Sequence, residues 1–194
     1  YRHAYRSVYL GDRAHCVCHA RARVAVILVT KNIKNMNPES ILKGRMAETL
    51  FEELIKRSGN VVYRFGYEAI VQNLVQLEQS FDRYNEVGER LRAMPDFIVI
   101  DKRGEPRFVE VKFRWNPDEP LYDDTIDILR RVEKFWNATL VFVNCQKQPY
   151  FRVSNPPYIK NKKLISSPLI EEKNWKVDKK VYDEFETLVH RYLT

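Results

Sequence analysis

Asp96, Glu110 and Lys112 are two acids and an ammonium whose types and spacing suit chemistry at a phosphorus centre. Two carboxylates set opposite each other on one sheet face repel unless a cation sits between them. A hard divalent ion such as magnesium meets that need, because it takes carboxylate and carbonyl oxygens and retains waters for reaction. An ammonium beside the ion is placed to orient or deprotonate an attacking water and to offset charge on a phosphorane-like transition state. The chemistry implied is metal-assisted hydrolysis of a phosphodiester.

The elements that must bring these groups together are legible around a turn. Asp96 to Asp101 and Glu105 to Phe113 are apolar runs joined by Lys102-Arg103-Gly104. Asp101 suits the first position of a type I turn, and Gly104 suits the left-handed position of a three-residue hairpin loop. Pairing Asp101 with Glu105 and stepping back five residues along each strand sets Asp96 opposite Glu110, with both side chains on one face. Lys112, two residues on, shares that face. The tripeptide acid-x-Lys by itself discriminates nothing, since Glu171-Glu172-Lys173 and Asp178-Lys179-Lys180 repeat it. Only the first copy ends an apolar strand paired by a well-formed turn to a Pro-Asp.

Upstream, Pro38 to Ser58 predicts a helix, with Asn37 as N-cap and Gly59 just past its end. Ala47, Leu50, Phe51, Leu54 and Ile55 form its core-facing stripe, with Glu48 at the margin. Asn60 to Gly66 reads as a strand, and residues 69–92 as one or two amphipathic helices through Ile70, Leu74, Leu77, Phe81, Tyr84 and Leu91. A helix over 121–136 and a strand from Ala138 to Val143, apolar enough to be covered on both faces, complete the core. From Gln146 onward four prolines interrupt the pattern, until Asp178 caps a last helix.

Pro95-Asp96, the hairpin and Glu110-x-Lys112 together resemble the signature of the PD-(D/E)XK nuclease superfamily. Gly44-Arg45-Met46-Ala47-Glu48-Thr49-Leu50 is similar to the first-helix pattern of archaeal-type Holliday-junction resolvases. The resemblance covers about residues 38 to 144 and implies an α/β fold with a restriction-endonuclease-like αβββαβ core, a mixed central sheet flanked by helices. It implies that Asp96 and Glu110 hold Mg2+ or Mn2+, with the Val111 carbonyl completing the sphere. Glu48 would join directly or through water, and Lys112 would serve as catalytic base or water-orienting group. The expectation is that the three carboxylates converge closely enough to share one ion.

For substrate contacts, Arg114 and Trp115 follow the Lys112 strand and suit a phosphate and a base. Arg64 and Glu68 flank Gly66 beside the same region. Lys160, Lys162 and Lys163 form a basic cluster, which reads equally as a solvated loop. The partner expected is DNA, with RNA not excluded, and cutting both strands of a branched substrate would call for a homodimer.

Composition bounds the rest. Hydrophobic residues make up 44% and charged residues 30%, which excludes a fibrous or wholly disordered chain. The longest apolar run, Val24 to Val29, falls far short of the roughly 18 residues of a membrane span and is too short for a secretory signal. The net charge of +7 is concentrated at one end. Residues 1–35 hold Arg2, Arg6, Arg13, Arg21, Arg23, Lys31 and Lys34 against Asp12 alone, leaving 26 basic and 25 acidic residues in the remainder. That arm, with Cys16-Val17-Cys18-His19 and an edge-strand-like run from Arg21 to Thr30, reads as upstream sequence before a natural start at Met36. The Cys-x-Cys-His group lacks a second ligand pair at zinc-site spacing. Cys145 is the one thiol of the body, which fits a reducing cytoplasm. The expected layout is an arm over 1–35, a nuclease core over 36–145 with a helical insertion at 69–92, and an extension over 146–194. Two rivals stand beside it: a nuclease-fold module that binds DNA or assembles without chemistry, and an unrelated α/β protein whose acids form a salt-bridge network.

Overall fold

The computed structural model describes residues 37–66, 85–114, 116, 118–161 and 163–194. The expectations for the arm, Glu68, the positions Ile70 to Tyr84, Trp115 and Lys162 lie outside the described residues.

Helix α1 spans Pro38–Arg57. Asn37 Oδ1 accepts the Glu39 N–H at 3.0 Å, and Gly59 takes φ +89° just past the end, as the sequence predicts. Strand β1 (Val61–Arg64) follows, then α2 (Glu86–Arg92), whose N-cap Asn85 accepts the Gly88 N–H at 2.7 Å. Next come β2 (Phe97–Ile100), β3 (Pro106–Arg114), α3 (Asp123–Trp136) and β4 (Thr139–Asn144). The chain ends with β5 (Phe151–Ser154), a two-stranded hairpin of β6 (Ile159–Lys160) and β7 (Lys163–Leu164), β8 (Ser167–Pro168) and α4 (Lys179–Leu193).

One sheet runs in the order β1-β2-β3-β4-β5-β8. β3 and β4 are parallel, joined by the α3 crossover, and the other neighbours are antiparallel. The fold is α/β, with a mixed central sheet flanked by helices. On one face α1 and α4 bury Ala47, Phe51, Leu54, Phe185 and Val189 against Val109, Val111, Val141 and Val143. On the other, α3 buries Ile126, Leu129 and Val132 against Leu140 and Phe142. β4 is buried at every position, the expected consequence of cover on both sides.

The hairpin has the anticipated register, with Phe97 opposite Val109 and Ile100 opposite Pro106. The Asp101 N–H donates to Glu105 O at 2.8 Å, and Asp101 Oδ1 accepts the Arg103 and Glu105 N–H groups at 2.8 and 2.9 Å. Gly104 supplies the positive φ of +82° that closes the loop. β2 begins at Phe97, one residue later than expected, which frees Asp96 from the ladder.

The segment after residue 145 is more regular than its prolines suggest. β5 pairs with β4 and β8 with β5, so the sheet continues straight across that position. Leu169, Trp175 and Phe185 enter the same core as α1. Among the described residues no helix is long and apolar enough to cross a membrane.

Candidate active site

The site forms where β3 outruns β2. Their pairing stops at Phe97 and Val109, while β3 continues to Arg114 beside β4. One step beyond the last pair, the same register sets Asp96 opposite Glu110. This is a non-hydrogen-bonded position, where facing side chains approach most closely. The Asp96 carbonyl accepts the Phe65 and Gly66 N–H groups at 2.8 and 3.2 Å. Its carboxylate reaches across the gap, and Oδ2 accepts the Val111 N–H at 2.8 Å. Asp96 therefore joins the end of β1 to the free edge of β3. Within a strand a residue's N–H and C=O point to the same side, so the Val111 carbonyl also faces this notch. A Cβ on Gly66 would lie 3.6 Å from Asp96 Cα and 3.9 Å from Oδ1, so glycine leaves that flank of the carboxylate open.

The electrostatics are those of acids crowded out of water. Glu110 is 5% exposed. Its Oε1 pairs with Lys112 Nζ, whereas Oε2 is buried with no hydrogen-bond partner among the described residues. Burial pushes the Glu110 carboxyl up; Lys112 opposes this and the neighbouring Asp96 reinforces it, leaving the group at about 7. Asp96 is also raised, by burial first, against the pull of Lys112 and the Val111 N–H. Burial would lower the Lys112 ammonium, but Glu110 and Asp96 outweigh it and hold the group above its usual range. Lys112 thus stays charged at neutral pH.

The structure brings Asp96, Glu110 and Lys112 together and places Glu48 at their margin. Glu110 and Lys112 stand in register with Leu140 and Phe142 on the α3 face, while α1 covers the face of Val109 and Val111. Glu48 approaches from α1, close enough for its charge to act on Lys112, and lies 4.0 Å from Arg64 Nη1. Among the described residues no three His, Cys, Asp or Glu side chains stand close enough to hold an ion together. Glu48, expected to join Asp96 and Glu110 around one ion, thus stands beside the facing pair and reaches it from the α1 side.

Arg64 borders the site, and its charge acts on Asp96. Its anchor, Glu52, escaped the sequence reading, although an acid four residues after Glu48 and next to Phe51 on a core-facing helix was a visible signal. Arg114, on the Lys112 face, donates from Nη2 to Glu119 O at 2.9 Å, with Nη1 buried and unpartnered among the described residues. Lys160 and Lys163 oppose each other on the separate β6–β7 hairpin. Among the described residues no hydrogen bond or ion pair links either of them to Asp96 or Glu110.

No protein-family model matches the chain, and no curated protein matches it in sequence. Among solved structures the chain is similar to Hjc, a Holliday junction resolvase from the archaeal hyperthermophile Archaeoglobus fulgidus. The identity is 17%, over 75% of this chain and 98% of that one, with a TM-score of 0.32.

The residues of the site fit a hard divalent cation. A buried Glu110 oxygen with no hydrogen-bond partner among the described residues, beside the half-buried carboxylate of Asp96, is costly unless a proton or a cation sits between the two acids. Asp96, Glu110 and the Val111 carbonyl offer three oxygens of the kind magnesium and manganese select.

Proposed function

We propose that this protein is a metal-dependent nuclease of the PD-(D/E)XK type that hydrolyses DNA phosphodiesters. The observation that carries the reading is the Asp96–Glu110 carboxylate pair, left short of one positive charge beside a permanently charged Lys112. Asp96, Glu110 and the Val111 carbonyl would hold Mg2+ or Mn2+, with Glu48 acting through an intervening water. The cation supplies Lewis-acid polarisation of the phosphate and a more acidic bound water. Lys112 offsets the charge that develops on the phosphorane oxygens and orients the attacking water. Asp96 holds the Glu110–Val111 peptide unit in place by accepting the Val111 N–H, and strand geometry turns the Val111 carbonyl, in the next peptide unit, toward the same notch. Glu110 keeps the Lys112 ammonium in place through their ion pair.

The resemblance of the stretch from Gly44 to Leu50 to the first-helix pattern of archaeal-type Holliday-junction resolvases favours a branched DNA as substrate, cut by a two-fold dimer. The test is incubation of the full chain with linear, single-stranded, flapped and four-way DNA, with and without magnesium or manganese. Cleavage that requires the ion and favours the four-way form is expected. A second reading is favoured by the absence of a third carboxylate around the pair among the described residues. It is a nuclease-fold module that binds DNA without cutting. Binding with no cleavage in either metal, unchanged by Lys112→Ala, would establish that module instead.

A further inference from the structure

On α1, Glu48, Glu52 and Lys56 lie four residues apart in one stripe that faces the end of β1. Glu52 is a carboxylate taken almost wholly out of water, with its side chain 11% exposed. A buried acid of this kind is costly unless cations and hydrogen bonds satisfy it, and Glu52 has both. Lys56 Nζ donates to Oε1 at 2.6 Å, while Arg64 binds Oε2 through Nε at 2.7 Å and Nη2 at 2.5 Å. Burial alone would push the Glu52 carboxyl up; Lys56 and Arg64 outweigh it and hold it below its usual range.

The effect on Arg64 is more telling than the effect on Glu52. One edge of the guanidinium is committed to a single buried oxygen, and its plane is held 5.5 Å from the centre of the buried Phe97 ring. The other edge, carrying Nη1, is turned toward Glu48 at the margin of the site, and the side chain is 52% exposed. A guanidinium offers five donors in a fixed fork, and this edge, already oriented by Glu52, matches two phosphate oxygens that would take the place of Glu48 beside Nη1. Its position also makes sense of the charges around it, since Asp96, Glu110 and Glu48 would together repel a nucleic-acid backbone.

We infer that Glu52 is a positioning residue that presents Arg64 as a clamp for a backbone phosphate next to the one Lys112 faces. The inference rests on the nuclease reading for its choice of ligand, but its test reads binding alone. Glu52 touches no substrate; it acts by fixing the fork.

The experiment measures affinity of the full chain for a duplex oligonucleotide over a series of salt concentrations with divalent ions chelated. Wild type is compared with Arg64→Ala, Arg64→Lys, Glu52→Gln and Glu52→Asp. Arg64→Ala should weaken binding by about tenfold and lower the salt slope by about one. Arg64→Lys should keep the slope yet lose most of the affinity, because the charge remains and the fork does not. Glu52→Gln is the decisive variant. Removing a negative charge near a polyanion should tighten binding if Glu52 acts through charge alone, whereas loss of positioning should weaken it by about threefold to tenfold. Glu52→Asp, which keeps the charge but shortens its reach, should weaken binding in the same way and covers the case in which Glu52→Gln does not fold. Binding by Glu52→Gln or Glu52→Asp as tight as wild type, or a wild type that does not bind nucleic acid, would overturn the inference. A wild type that shows the expected binding series yet never cleaves would overturn only the nuclease reading.

Discussion

Glu52 and Glu110 are both buried glutamates within reach of a lysine, and their surroundings drive them in opposite directions. Glu52 has Lys56 on one oxygen and Arg64 on the other, and sits below the usual carboxylate range. Glu110 has Lys112 on one oxygen and a second acid beside the other, and is pushed up to about 7. The first site is complete in itself and serves to hold a neighbour. The second leaves one carboxylate oxygen without a hydrogen-bond partner among the described residues. The difference is one positive charge, and burial is common to both.

The sharpest way to break that contrast is to remove the cation already present at the incomplete site. Lys112→Ala should slow metal-dependent cleavage by about 10²-fold to 10³-fold while changing DNA affinity little, because one phosphate-facing charge among many sets the rate rather than the affinity. Single-turnover rates and equilibrium binding measured in parallel check this. If rate and affinity fall together, Lys112 is a binding residue only.

A second variant removes the repulsion instead. Asp96→Asn retains an acceptor for the Val111 N–H and deletes the like charge beside Glu110. It should abolish cleavage yet raise the stability of the metal-free protein at neutral pH by about 1 to 3 kcal/mol, the scale of one to two pKa units. Denaturant melts in chelator report it, and a destabilised variant would mean that Asp96 is chiefly a structural cap.

Acidity provides a third test. The folded-state value of Glu110 lies above its ordinary 4.5, so the stability this group contributes is present below that value and is lost as pH rises through about 7. The metal-free protein should melt at progressively lower temperature between about pH 5 and pH 8. Magnesium should restore most of the loss at the upper end, and Asp96→Asn should flatten the trend. A melting profile indifferent to added magnesium at pH 8 would count against a cation at the pair. The smallest effect is expected at the completed site. Glu52→Gln should cost only about 1 kcal/mol in the same melts, since Lys56 and Arg64 remain half in water.

How much of this was legible follows from where each signal resides. The hairpin register could be read because Asp101 and Gly104 carry local turn chemistry, and that register alone sets Asp96 against Glu110. Helix α1 was legible for a similar reason, with Asn37, Pro38 and Gly59 marking both ends. β5 and β8 were hidden because they are four and two residues long, too short to display alternation, and owe their existence to the strands beside them. Which face Glu48 approaches from was equally hidden. It depends on α1 packing over Val109 and Val111, and no spacing within the helix states that.

The single hydrogen bond from the Val111 N–H to Asp96 Oδ2 gives this protein a built-in spectroscopic probe. Where most strand amides are locked by a neighbouring backbone carbonyl, this one is held by an ionisable side chain. Its proton resonance should move when Asp96 gains a proton or an ion, while the resonances of Phe97 and Val109 stay comparatively still. A titration followed at that one amide would therefore count occupancy of the carboxylate pair directly, without a substrate and without turnover.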